Sequence, residues 1–146
     1  MDRGMIEILG DVLVRGEATG QVLASDEPLS LWGGLDPATG EIIDRRHPLS
    51  GRVLTGRVLV IPFGRGSCSA SGILLEAVAL GHGPAGIIVS RADPILGLGA
   101  VLVDEVLKKS LPMIQISDVE RHLLQADWHA SIEACGRITV RPPHDR

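Results

Sequence analysis

The chain is expected to fold as a single α/β domain over residues 1–146, with a β-rich N-terminal layer and a parallel-sheet α/β layer behind it. Three observations predict this. The run RVLVIP, Arg57 to Pro62, is continuously apolar rather than alternating, the pattern of a strand covered on both faces, as in parallel sheets. Two further short runs, AGIIVS and LPMIQIS, read the same way and are separated by stretches with helical spacing. Strands come first along the chain and alternate with helices later, which is the order of a mixed fold. At 146 residues the chain has enough length for one core.

Taken in order, Ile6 to Val14 and Gln21 to Ala24 carry β-branched residues and read as strands, with GEATG as the turn between them. The next segment, LSLWGGLDPATGEIID, is rich in turn residues and bounded by Gly33, Gly34 and Pro37; HPLSG follows, and then the buried strand ending at Pro62. From Ser67 to Leu80 the apolar residues Ile73, Leu74, Ala77, Val78 and Leu80 fall at helical spacing, and Gly81 and Gly83 stop the helix. Ala85 to Ser90 is the second buried strand. A helix covers part of Pro94 to Lys109, started by Asp93 and Pro94, and Leu111 to Ser117 is the third buried strand. SDVERHLLQA begins as a helix, with Ser117 or Asp118 as N-cap and Glu120 in the first turn. ASIEA and RITVRP close the chain as strands, and PPHDR reads as a frayed tail. There is no internal repeat.

Composition excludes several classes of function. The net charge is −4 and the basic residues are scattered, with Arg45, Arg46 and Lys108, Lys109 as solvated pairs, so nucleic acid is not expected as a partner. One Phe, two Trp and no Tyr leave too few rings to stack bases. No run approaches the roughly 20 apolar residues that span a bilayer, and acidic residues interrupt the start MDRGMIEILGDVL, so no membrane association is expected and the cytoplasm is the expected location. Cys68 and Cys135 are too few for a disulfide framework and are not spaced as a metal knuckle; Cys135 reads as a core thiol.

The candidate site is the stretch PFGRGSCSASG, Pro62 to Gly72, where the first buried strand hands over to a helix. Small side chains there expose backbone N–H groups at a helix N-terminus, where the helix dipole favours an anion. Gly64 and Gly66 let a ligand approach the backbone. The spacing fits neither a Walker loop nor the dinucleotide fingerprint, and GRGSC is not a nucleophile elbow; none of the five histidines is spaced to serve Ser67 as a base. The plainer reading is that Ser67 caps the helix while Cys68, Ser69 and Ser71 pack closely. The cluster as a whole stands at the C-terminal end of a buried strand, where α/β sheets bind ligands.

LSLWGGLDPATGEIIDRRHPLSG followed by GRVLVIPFGRGSCSASGILLEA resembles the small subunit, or swivel domain, of the aconitase X hydro-lyases, over about Gly16 to Ile116. The resemblance implies a swivelling β/β/α domain that docks on a large catalytic subunit, with the active site in the cleft between the two. It implies that Ser67, directly after Gly66, is the general base that removes a proton next to a carboxylate, acting as an alkoxide held by N–H groups and cations. An iron–sulfur cluster, held mainly or wholly by the large subunit and not by this chain alone, assists departure of hydroxide. Aconitase has an arginine two positions beyond this serine; Ser69 stands there instead. The substrate's acidic group is then left to Gly64, Arg65, Gly66, Cys68, Ser69 and Ser71 or to the large subunit.

The resemblance implies a small-molecule hydroxy acid as substrate: cis-3-hydroxy-L-proline, or mevalonate 5-phosphate as the alternative. Other classes of reading are an anion-binding module without chemistry and a purely structural swivel subunit. Trp32, Gly33, Gly34 and Asp36 either shape the cleft or subunit contact or simply build turns, and His47 reads as structural.

Overall fold

The computed structural model describes residues 4–65 and 69–143. Among them, ten strands and three helices follow one another: β1 (Ile6–Leu9), β2 (Asp11–Val14), β3 (Ala18–Ala24), β4 (Leu35–Asp36), β5 (Glu41–Ile42), β6 (Val58–Ile61), α1 (Ser69–Ala79), β7 (Gly86–Val89), α2 (Pro94–Leu107), β8 (Met113–Gln115), α3 (Asp118–Arg121), β9 (His129–Ile132) and β10 (Arg137–Arg141). Eight of the strands form one mixed sheet in the order β1-β10-β9-β3-β6-β7-β8-β2, and β4 and β5 make a small ribbon of their own.

The strands β3, β6, β7 and β8 are mutually parallel. Their residues alternate between two cores. Leu23, Leu59, Ile61, Ile87, Val89 and Met113 face α1, α2 and the 29–54 segment. Val22, Val58, Val60, Ile88 and Ile114 face the inner side of β1, β9 and β10, where Ile8, Ala130, Ile132, Ile138 and Val140 meet them. Every residue of β6 and β7 is buried for this reason, as their unbroken apolar runs require. The result is the β/β/α layering expected of the chain, with the outer β layer drawn from both ends of the sequence.

Two strands make the corners between the β layers. In β3, residues Ala18 to Gln21 pair antiparallel with β9, while Val22 to Ala24 pair parallel with β6. The stretch Ile6 to Val14, expected as one strand, is two: β1 pairs with β10 and β2 with β8, the opposite ends of the strand order. Only Gly10 separates them, so the sheet closes on itself at that residue. The N–H of Gly10 donates to the carbonyl of Gly136 (3.0 Å). A β-carbon on Gly10 would strike a methyl of Ile114 and stand 2.9 Å from the Gln115 carbonyl oxygen.

Other expectations are corrected in detail. GEATG is not wholly a turn, because β3 already begins at Ala18 and needs that length to reach β9. Cys135 is exposed, not a core thiol, since it sits in the tight connection between β9 and β10 that Gly136 closes with a positive φ of 96°. SDVERHLLQA starts with the expected capping box, Ser117 accepting from the Glu120 N–H and Glu120 from the Ser117 N–H. It stays helical for one turn only, and Leu124 then drops into the core between the β layers. Of the PPHDR tail, the last three residues lie outside the described ones.

The close approach at Gly10 predicts that Gly10→Ala lowers stability by about 1–3 kcal/mol, as overpacking does. Gly97→Ala, inside α2 with nothing within 4 Å of its new β-carbon, is expected to raise stability by about 0.5–1 kcal/mol. Urea midpoints of the two variants check both signs.

Candidate functional site

Four parallel strands end at one edge, and the loops that leave them lie side by side. The loop after β6 starts with Pro62, whose carbonyl accepts from the N–H groups of Ser90 (3.1 Å) and Arg91 (3.0 Å) in the loop after β7. Ser25, after β3, donates its N–H to Val60, and Ile116, after β8, donates to Val89. This is the side of an open parallel sheet on which ligands bind.

Gly64 is held from two directions. It bridges to Leu29, and the next N–H, that of Arg65, donates to the Leu29 carbonyl (3.0 Å). Its own N–H donates to Asp93 Oδ2 at 2.7 Å. The other carboxylate oxygen, Oδ1, accepts from the N–H groups of Ile95 and Leu96, each at 3.1 Å, as the N-cap of α2. One carboxylate thus fastens the β6–α1 loop to the start of α2. A β-carbon at position 64 would stand 2.5 Å from Asp93 Oδ2 and 2.7 Å from Leu96, so no larger residue fits without moving the pin. Gly64, Arg65, Ala70, Leu29, Leu31 and Asp93 border a small cleft there.

Of the other site residues named from the sequence, Gly66, Ser67 and Cys68 lie outside the described residues. Ser69 opens α1 and is exposed; Ser71 is buried, with its Cα 3.2 Å from where a β-carbon on Gly99 of α2 would stand. Arg65 is exposed. The structure therefore brings Gly64, Arg65 and the first turn of α1 to the C-terminal edge of the sheet, with Ser71 turned toward α2.

Trp32 is 61% exposed, in a turn where the Ser30 hydroxyl donates to its carbonyl. Gly33 has a φ of 81°, and Asp36 Oδ1 accepts from the Ala38 N–H, so both build turns. His47 is buried. Its Nδ1 accepts from the Leu49 N–H (3.1 Å), which leaves the proton on Nε2 to donate to the Pro28 carbonyl (3.1 Å). It thus props the turn-rich segment from inside.

A second tie escaped the sequence. Arg121 is buried, and its Nη1 donates to the Ser25 carbonyl (3.2 Å) and to Asp26 Oδ1 (3.1 Å), while its Nε donates to Asp118 Oδ1 (2.9 Å). Asp118 Oδ1 also accepts from the Ser90 hydroxyl (3.2 Å). Three loops are joined by this arginine and its carboxylates. The hydrogen bond from Arg121 is the main cause that holds the Asp118 carboxyl below the usual carboxylate range; desolvation opposes it, and the hydrogen bond from Ser90 and the positive charge of Arg121 add to the lowering. No short motif signals this meeting, because Asp26 and Arg121 come from opposite ends of the chain.

The family model for the aconitase X swivel domain matches residues 7–140. The chain belongs to that family. It is 47% identical over 132 residues to a cis-3-hydroxy-L-proline dehydratase of Hypocrea jecorina, covering 90% of this chain and 22% of that protein. A dehydratase of the same name from Pseudomonas aeruginosa is 46% identical over 121 residues, 83% of this chain and 21% of that protein. The chain spans about a fifth of the length of these two relatives. The phosphomevalonate dehydratase small subunit of Methanothermobacter thermautotrophicus is 46% identical over 91 residues, 62% of this chain and 70% of that protein. Among solved structures, holo-form aconitase X of Thermococcus kodakaraensis superposes with a TM-score of 0.82 at 31% identity, over 92% of this chain and 98% of that one.

Among the described residues no three His, Cys, Asp or Glu side chains come together to hold a metal ion. The described residues therefore offer no ligand set for an iron–sulfur cluster. No described helix is long and apolar enough to cross a membrane.

Two predictions follow the two ties. Asp93→Ala removes a cap and the Gly64 anchor together and is expected to cost about 1–3 kcal/mol in chemical denaturation, with Asp93→Asn milder. For Asp118, a lowered folded-state value means that its ionised form stabilises the fold above the ordinary carboxylate value of about 3.9. That contribution disappears as pH falls through the folded-state value. Wild type should melt above Asp118→Asn at neutral pH, and the gap should close on acidification below about pH 4; a gap independent of pH would contradict this.

Proposed function

We propose that the chain is the small subunit of a heteromeric iron–sulfur hydro-lyase of the aconitase X type, which dehydrates cis-3-hydroxy-L-proline to a pyrroline-2-carboxylate. The observation that carries the reading is the loop of small residues between β6 and α1, at the C-terminal edge of the parallel strands. It stands in a chain 47% identical over 132 residues to a cis-3-hydroxy-L-proline dehydratase. The partner is an aconitase X large subunit, in keeping with relatives named as small subunits.

The division of labour follows from the chemistry. Ser67 takes the proton from the carbon that bears the carboxylate, the carbon–carbon double bond forms, and hydroxide leaves from the neighbouring carbon, so that the elements of water are lost. A proton alpha to a carboxylate is weakly acidic, so charge building on the carboxylate in the transition state must be met by fixed donors. Gly64, Arg65, Gly66, Cys68, Ser69 and Ser71 are the residues of this chain proposed to supply them. Asp93 holds Gly64 in place without touching substrate. A bound iron–sulfur cluster would supply Lewis acidity for the leaving hydroxyl, and its ligands are assigned to the large subunit. The cytoplasm is the proposed location.

A second substrate, mevalonate 5-phosphate, is favoured by the 46% identity to the phosphomevalonate dehydratase small subunit. The N–H groups of the loop would suit a phosphate as well as a carboxylate.

Turnover by this chain co-expressed anaerobically with its large subunit tests the proposal. Ser67→Ala should assemble normally and lose about 10²-fold or more in kcat, as removal of a general base does. An unchanged rate would place the base elsewhere. Full activity of the isolated chain would refute the subunit reading, and turnover of mevalonate 5-phosphate alone would move the substrate to the second choice.

A further inference from the structure

Arg91 follows β7 at the same edge and is exposed, with its N–H fixed on the Pro62 carbonyl (3.0 Å). Its guanidinium carbon lies 3.9 Å from the centroid of the Phe63 ring, the one phenylalanine of the chain. A guanidinium held over a ring in this way gains a cation–π contact and keeps N–H groups available to a carboxylate. Among the described residues no carboxylate pairs with it. The two nearest in sequence along this edge are committed: Asp93 uses one oxygen on Gly64 and the other on the start of α2, and Asp118 is engaged by Arg121 and the hydroxyl of Ser90, the residue before Arg91. A cation held over the ring of the residue before Gly64, with no in-plane donor spent on any described residue, is arranged to receive an anion from outside the chain.

We propose that Arg91, braced on Phe63, binds the carboxylate of the hydroxy-acid substrate. This rests on the dehydratase reading above and deepens it by naming a substrate-anchoring residue outside the small-residue loop, in a chain with Ser69 where aconitase carries its arginine. Phe63 is a positioning residue that acts through Arg91.

The test uses the assembled complex. Arg91→Ala is expected to raise KM for cis-3-hydroxy-L-proline about 10- to 100-fold, the loss of a charge-assisted pair, with a smaller change in kcat. Arg91→Lys should fall between, since it keeps the charge and loses the fork, and Phe63→Leu should raise KM less than Arg91→Ala. Independently of turnover, labelling of Arg91 by phenylglyoxal, read by mass spectrometry of its peptide, should slow when cis-3-hydroxy-L-proline or mevalonate 5-phosphate is added. A lowered melting temperature with unchanged KM, or labelling indifferent to both compounds, overturns the assignment. A complex that turns over neither compound sinks the dehydratase reading, and the protection result then still decides whether Arg91 receives the anion.

Discussion

Two-sided burial of the parallel strands is the constraint on which the rest depends. A strand such as Val58–Ile61, with every residue buried, needs a cover on each face. Helices α1 and α2 cover one face, and the second cover is a β layer that must be brought around without leaving the same sheet. The chain does this by bending β3 from one partner to the other and by breaking β1 from β2 at Gly10, the behaviour of strands that switch layers at a corner.

With the layers fixed, the C-terminal edge becomes a set of loops whose positions are set by charge. Asp93 and Arg121 do similar work from different sides: each is a charged group whose donors or acceptors are shared among separate segments of chain. Charge-assisted hydrogen bonds are the stronger kind, and distributing them among loops holds loop against loop rather than loop against solvent. Gly64 in the β6–α1 connection needs such support, because glycine has no side chain with which to pack.

What was legible in the sequence follows the range of the interactions. The strands β6, β7 and β8 and the helix starts at Asp93 and Ser117 depend on neighbouring residues, and the apolar runs and caps disclose them. The break at Gly10 depends on Ile114 lying behind it, and IEILGDVLV reads equally well as one strand with a glycine in it. Asp93 was legible as a helix cap, but its second oxygen meets Gly64 through tertiary packing that no local pattern encodes. Cys135 was open to a better reading: a cysteine followed by glycine between two strand patterns marks a hairpin, and hairpin tips face solvent. The pairing of Phe63 with Arg91 joins two loops whose adjacency exists only once β6 and β7 lie parallel.

The antiparallel pairing of Ile6 with Val140 puts the beginning and the end of the fold next to each other, and Gly4 lies against Pro142 just beyond. A polypeptide that carries such a unit inside a longer chain therefore enters and leaves it at one place. Splicing the unit in or making it a separate chain asks for a change in covalent connection at that place alone, with the strand order and the loops of the opposite layer left as they are. The same layout serves a tethered module and a free-standing one, and that makes the fold easy to redistribute between fused and divided proteins.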